Sequence, residues 1–165
     1  MQSYRLLATQ LLIIVASLTN VAGCSAADSS IKISDAWVRA SSPGQEVGAA
    51  YLTLQSNADT SLVKVESPAA GSVEIHSMSM DNGVMKMRML ETLPLTAGQP
   101  AKLEPGGFHL MLFDLKKPLT KGEKVSFTLH FKDSAGKTST MKIDSPVKTS
   151  AEIKFRLIEF TWLPG

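Results

Sequence analysis

Apolar and polar residues alternate strictly through Val125-Ser126-Phe127-Thr128-Leu129-His130-Phe131. That is the period of a half-buried β-strand. Shorter runs of the same kind predict further strands over 35–40, 48–55, 61–66, 71–80, 84–91, 108–113 and 137–143, with the clearest one covering 124–132. Turn residues separate them at Ser42-Pro43-Gly44, Asp81-Asn82-Gly83, Pro105-Gly106-Gly107, Lys121-Gly122-Glu123 and Ser134-Ala135-Gly136. No segment beyond the N-terminal leader sustains a helical period. Seven to eight short strands punctuated by turns imply an all-β, Greek-key β-sandwich.

Asn82-Gly83 is the strongest hairpin signal, because both residues tolerate the positive φ of a type I′ turn. A two-residue loop there sets Met80 opposite Met85, Met78 opposite Met87 and His76 opposite Met89, all on one face. Ser77, Ser79, Lys86 and Arg88 fall on the other. A bulge at Asp81 would shift one arm and change every pair.

The first 23 residues carry one cation, Arg5, no acidic residue, and an apolar stretch around Leu11-Leu12-Ile13-Ile14-Val15-Ala16. They read as a secretory signal peptide, too short and too interrupted by Gln10, Ser17 and Thr19 to span a membrane. Cys24, the single cysteine, follows Val21-Ala22-Gly23, which resembles a bacterial lipobox. Cys24 is then the lipid-modified first residue of a mature lipoprotein, and residues 24–30 are a linker lifting the domain off its anchor. Cleavage near Ala26-Ala27, giving a soluble periplasmic form, is the alternative.

Loss of Arg5 with the leader leaves 16 of the 17 Lys+Arg against 15 Asp+Glu. A near-neutral chain with no basic run argues against nucleic acid as a partner. About 120 residues after the leader is the size of one domain with a single core.

Six of the eight methionines and two of the three histidines lie between His76 and Met111. A core or a partner-docking face explains methionines alone, but imidazoles in a thioether environment without acceptors are costly to bury. The second His-x-Met, at His109 and Met111, makes a metal site the better reading. His130 lies on the polar face of its strand and reads as solvated. Thioether sulfur is soft and uncharged, so the donor set suits Cu(I) rather than Zn(II), Mg(II) or Ca(II). A blue-copper centre needs a thiolate, and the one cysteine is already placed at the anchor. Since only neutral imidazole binds metal and thioether does not titrate, affinity should fall as the pH is lowered through the ordinary histidine range.

The spacing His76, ten residues, Met87, twenty-one residues, His109, one residue, Met111 resembles the signature of the PCuAC family of periplasmic Cu(I) chaperones. The text around Asp81-Asn82-Gly83-Val84-Met85-Lys86-Met87-Arg88 and Pro105-Gly106-Gly107-Phe108-His109-Leu110-Met111-Leu112 is similar to that family as well. One departure is Ser77, where many members carry methionine. The resemblance implies a cupredoxin-like sandwich over residues 31–147 and one Cu(I) held by His76, Met87, His109 and Met111. Met78, Met80, Met85 and Met89 are left as auxiliary thioethers or packing. It further implies a monomer on the periplasmic side of a bacterial membrane, passing copper toward the binuclear centre of a cytochrome c oxidase subunit in concert with a Sco-type protein.

Two other readings stay open: a periplasmic copper storage or resistance protein that binds several ions, and a non-metal lipoprotein whose methionine face docks a partner. Enzymatic activity is not expected, since no nucleophile stands with a base and orienter and no paired carboxylates flank the patch. Asp114 and Glu104 beside the second segment read as solvated strand-end residues. Residues 148–165 form an extension whose Ile153, Phe155, Leu157, Ile158, Phe160 and Trp162 predict an added strand or surface-packed segment, with no metal role.

Overall fold

The computed structural model describes residues 30–149. The leader, Cys24, most of the linker and the C-terminal segment from 150 onward lie outside the described residues, and with them the expectations for the anchor and the added strand.

The described chain is all β, in ten strands: β1 (Ile31–Arg39), β2 (Gly48–Ser56), β3 (Thr60–Glu66), β4 (Ser72–Asp81), β5 (Val84–Leu90), β6 (Leu93–Leu95), β7 (Pro100–Leu103), β8 (His109–Phe113), β9 (Lys124–Asp133) and β10 (Thr138–Lys148). Their order is β5-β4-β8-β2-β1-β10-β9-β3-β6, with β7 alongside β2. Two antiparallel halves meet where β1 runs parallel to β10 at Val38–Val147 and Arg39–Lys148. The halves fold face to face, as their buried residues show. Val38, Leu52, Leu54, Ile75, Leu110 and Leu112 from one half share a single core with Leu62, Val65, Phe127, Leu129, Phe131 and Val147 from the other.

The strict alternation in β9 is realised, with Val125, Phe127, Leu129 and Phe131 inward. Outward, His130 is not simply solvated: its Nε2 lies 2.8 Å from Glu66 Oε2 and its Nδ1 3.3 Å from the Thr140 hydroxyl. The Glu66 carboxyl, bonded to Lys64 and then to His130, is held below the usual carboxylate range.

Ten strands exceed the seven to eight expected, and proline explains the shortfall. Pro94 faces outward in the three-residue edge strand β6 while Leu93 and Leu95 are buried, and Pro100 is the first residue of β7. Both are positions where a missing N–H leaves little of the ladder unmade. Pro146 similarly sits opposite Lys124 at the end of the β9–β10 ladder, so β10 runs past it to Lys148. Strand β1 begins earlier than the pattern indicated because a bulge between Ser34 and Trp37, with Asp35 at φ 52°, interrupts its alternation.

The hairpin forms as its turn chemistry dictates. Asn82 and Gly83 have φ of 49° and 79°, and the register pairs Met80 with Met85, Met78 with Met87 and His76 with Met89. Asp81 pairs with Val84, so no bulge intervenes.

Candidate metal centre

Strand β8 lies between β4 and β2, and its register places His109 opposite His76 and Met111 opposite Glu74 and Ala49. Since Leu110 and Leu112 point into the core, His109 and Met111 must occupy the outer face of this half. His76, Met78 and, across the hairpin, Met87 share that face. The two imidazoles therefore meet near the start of β8, with ring centroids 5.9 Å apart. Beyond this point β4 and β5 continue as a hairpin past the first residue of β8. Next to the imidazoles is a cleft of about 260 Å³ lined by Met78, Met87, His109 and Met111, and on its far side by Arg39, Gln45 and Tyr51.

The hydrogen bonds determine which ring nitrogens are free. His76 Nε2 is 2.8 Å from Glu74 Oε2, and His109 Nδ1 is 3.1 Å from the Gly107 carbonyl oxygen. Carboxylate and carbonyl oxygens only accept, so each of these nitrogens carries the proton. In the neutral rings, the lone pairs are then at His76 Nδ1 and His109 Nε2. His76 Nδ1 is buried and has no hydrogen-bond partner. A buried acceptor without a partner is rare in a folded protein, and this one belongs to a ring next to His109. Among the described residues no group of three or more His, Cys, Asp or Glu side chains could hold an ion. The donors gathered here are two imidazoles and thioethers, a set that fits a soft monovalent cation.

Burial is graded across the four signature residues. His109 is 5% exposed, the His76 side chain 12%, Met111 is half-buried, and Met87 on the edge strand β5 is 48% exposed. Met78 lines the cleft, whereas Met80, Met85 and Met89 are more exposed than Met87 and do not. Core packing is therefore excluded as the role of those three. Asp114 and Glu104 are exposed, as expected of strand-end residues.

Three supporting features were not singled out from the sequence. Glu74 is one, although its position two residues before His76 puts it on the same strand face. The Gly107 carbonyl is another: it accepts from Met78 N at 3.1 Å as well as holding His109, and Gly106, at φ 90°, lets the turn close that way. The third is the far wall, where Tyr51 stacks on Trp37 at 4.3 Å and Arg39 lies 5.6 Å over the Tyr51 ring. Burial raises the Tyr51 hydroxyl pKa against the opposing pull of Arg39, which keeps the phenol neutral beside the cleft.

Glu74 orients His76, and outer partners of this kind are worth ~10–100-fold in metal affinity. Glu74→Ala should weaken metal binding within that range in a competitive titration. Glu74→Gln, which keeps an acceptor for Nε2–H, should recover part of the loss.

The family model described as "Putative lipoprotein LpqE-like" matches residues 31–154. A relative from Leifsonia xyli subsp. xyli, "Putative lipoprotein Lxx21020", is 34% identical over 119 residues, covering 72% of this chain and 69% of its own. Among solved structures, the copper-bound PCuAC domain from PmoF2 is 26% identical with a TM-score of 0.58, covering 72% of this chain and 92% of its own. The Cu(I) form of DR1885 from Deinococcus radiodurans is 33% identical with a TM-score of 0.54, covering 78% and 84%. The architecture is thus that of PCuAC domains, and the chain belongs to the LpqE-like family.

Proposed function

We propose that this protein is an extracytoplasmic copper chaperone that takes one Cu(I) as cargo on His76, Met87, His109 and Met111 and hands it to a protein acceptor. The observation that carries the reading is an imidazole, His109, lining one cleft with the thioethers of Met78, Met87 and Met111, and beside it, 5.9 Å between ring centroids, His76 with a buried and unpartnered Nδ1. Similar domains with copper bound support it. Lipidation at Cys24 would hold the domain at the periplasmic side of a bacterial membrane, in keeping with the lipoprotein description of the family. The binuclear copper centre of cytochrome c oxidase, reached directly or through a Sco-type protein, is the proposed endpoint.

The graded burial supports transfer over permanent retention. The imidazoles anchor the ion from the sheet side, while Met87 sits on a free edge strand where an incoming donor can reach the metal. Ligands then exchange one at a time, so the ion is never released into water. Loaded with one Cu(I) and mixed with a Sco-type acceptor, the protein should lose copper at a rate that rises with acceptor concentration. A rate independent of acceptor and equal to spontaneous release would contradict transfer by ligand exchange.

A further inference from the structure

The residues flanking a two-residue turn exchange backbone hydrogen bonds, here Asp81 and Val84, and bonded and non-bonded pairs then alternate along the hairpin. Met80–Met85, Met78–Met87 and His76–Met89 are consequently all non-hydrogen-bonded pairs, the kind whose side chains approach most closely, with Cβ atoms ~4.5–5.5 Å apart. They form successive rungs on one face, ending at the turn. The outermost rung is not packing anything: Met80 is 68% and Met85 63% exposed. On the opposite face Lys86 pairs with the Asp81 carboxylate beside the turn, while the ladder register sets the two methionines on the same side.

Solvent-exposed methionines carry apolar surface into water for no gain in folding. Here two face each other next to the Asn82-Gly83 turn, one rung from Met87. Two thioethers are sufficient for a soft monovalent ion of low coordination number, and the pair carries no charge that would attract a hard divalent one.

We propose that Met80 and Met85 form a second, weaker site for a soft monovalent cation, Cu(I) or its mimic Ag(I), at the hairpin tip. The ion passes between this rung and the His–Met centre by way of Met78 and Met87. No bond other than metal–sulfur forms or breaks, and the ion stays monovalent throughout. This inference rests on the copper reading above for its physiological ion, but the tip's own donors are separate from the two histidines.

The test is an Ag(I) titration of the full chain carrying Cys24→Ser, so that no thiol competes, followed through the methyl resonances of its methionines. The first equivalent should move Met87 and Met111. A second should move Met80 and Met85 together while Met141, half-buried against the core on β10, stays put. Met80→Leu should abolish the Met85 response and leave the first equivalent intact. His109→Ala should do the reverse, losing the first event and keeping the tip response, which separates failure of the main site from failure of this one. Unmoved Met80 and Met85 resonances at two equivalents, or a Met85 response that survives Met80→Leu, would overturn the proposal.

Discussion

His109→Ala is expected to abolish tight Cu(I) binding while leaving the protein folded. His109 is the most buried of the four proposed ligands, and its ring is fixed by the Gly107 carbonyl so that Nε2 is the bare nitrogen. Removing a partner outside the coordination sphere costs up to ~100-fold in metal affinity. Removing a ligand itself should exceed that, a loss of more than about 2.7 kcal/mol of binding free energy. The Gly107 carbonyl keeps its bond from Met78 N in the variant, so no buried acceptor is orphaned. Competition with a Cu(I) chelator under anaerobic conditions, alongside a urea melt of the metal-free protein, distinguishes lost affinity from lost fold. Unchanged affinity would remove His109 from the site.

The second large effect is on the scaffold. Leu110 lies between His109 and Met111, is fully buried, and points to the opposite side of the sheet. Leu110→Ala should lower stability by ~2–5 kcal/mol, a large part of the ~5–15 kcal/mol typical of a domain. Because binding stabilises only the folded state, Cu(I) buffered at ~1,000 times its dissociation constant should return ~4 kcal/mol. The same buffered copper should do nothing for a Leu110→Ala/His109→Ala double variant. Urea midpoints with and without copper measure both, and equal rescue of the single and double variants would break the link between site and fold.

Much of this was legible in the chain before its structure. Asn82-Gly83 fixes the turn, the turn fixes the register, and the register brings Met87 to the same face as His76 from eleven residues away. The alternation of β9 likewise translates directly into one wall of the core. Strands β6 and β7 were hidden because Pro94 and Pro100 are unfavourable strand residues whose edge and terminal positions become evident only in three dimensions. The far wall of the cleft was hidden for a different reason: Arg39 and Tyr51 reach it through the pairing of β1 and β2 and of β2 with β8, contacts that no local pattern encodes. The protonation pattern of the imidazoles also depends on a backbone carbonyl, which sequence letters do not display.

In the proposed centre, two imidazoles and two thioethers hold one copper ion. X-ray absorption at the copper edge, on protein carrying one Cu(I) equivalent and Cys24→Ser, reads the donors directly. A Cu(I) edge with both nitrogen and sulfur scatterers is expected, the sulfur contribution falling in Met87→Ala and Met111→Ala and the nitrogen contribution in His76→Ala. A first shell of nitrogen and oxygen alone, or one of sulfur alone that His76→Ala leaves unchanged, would contradict it.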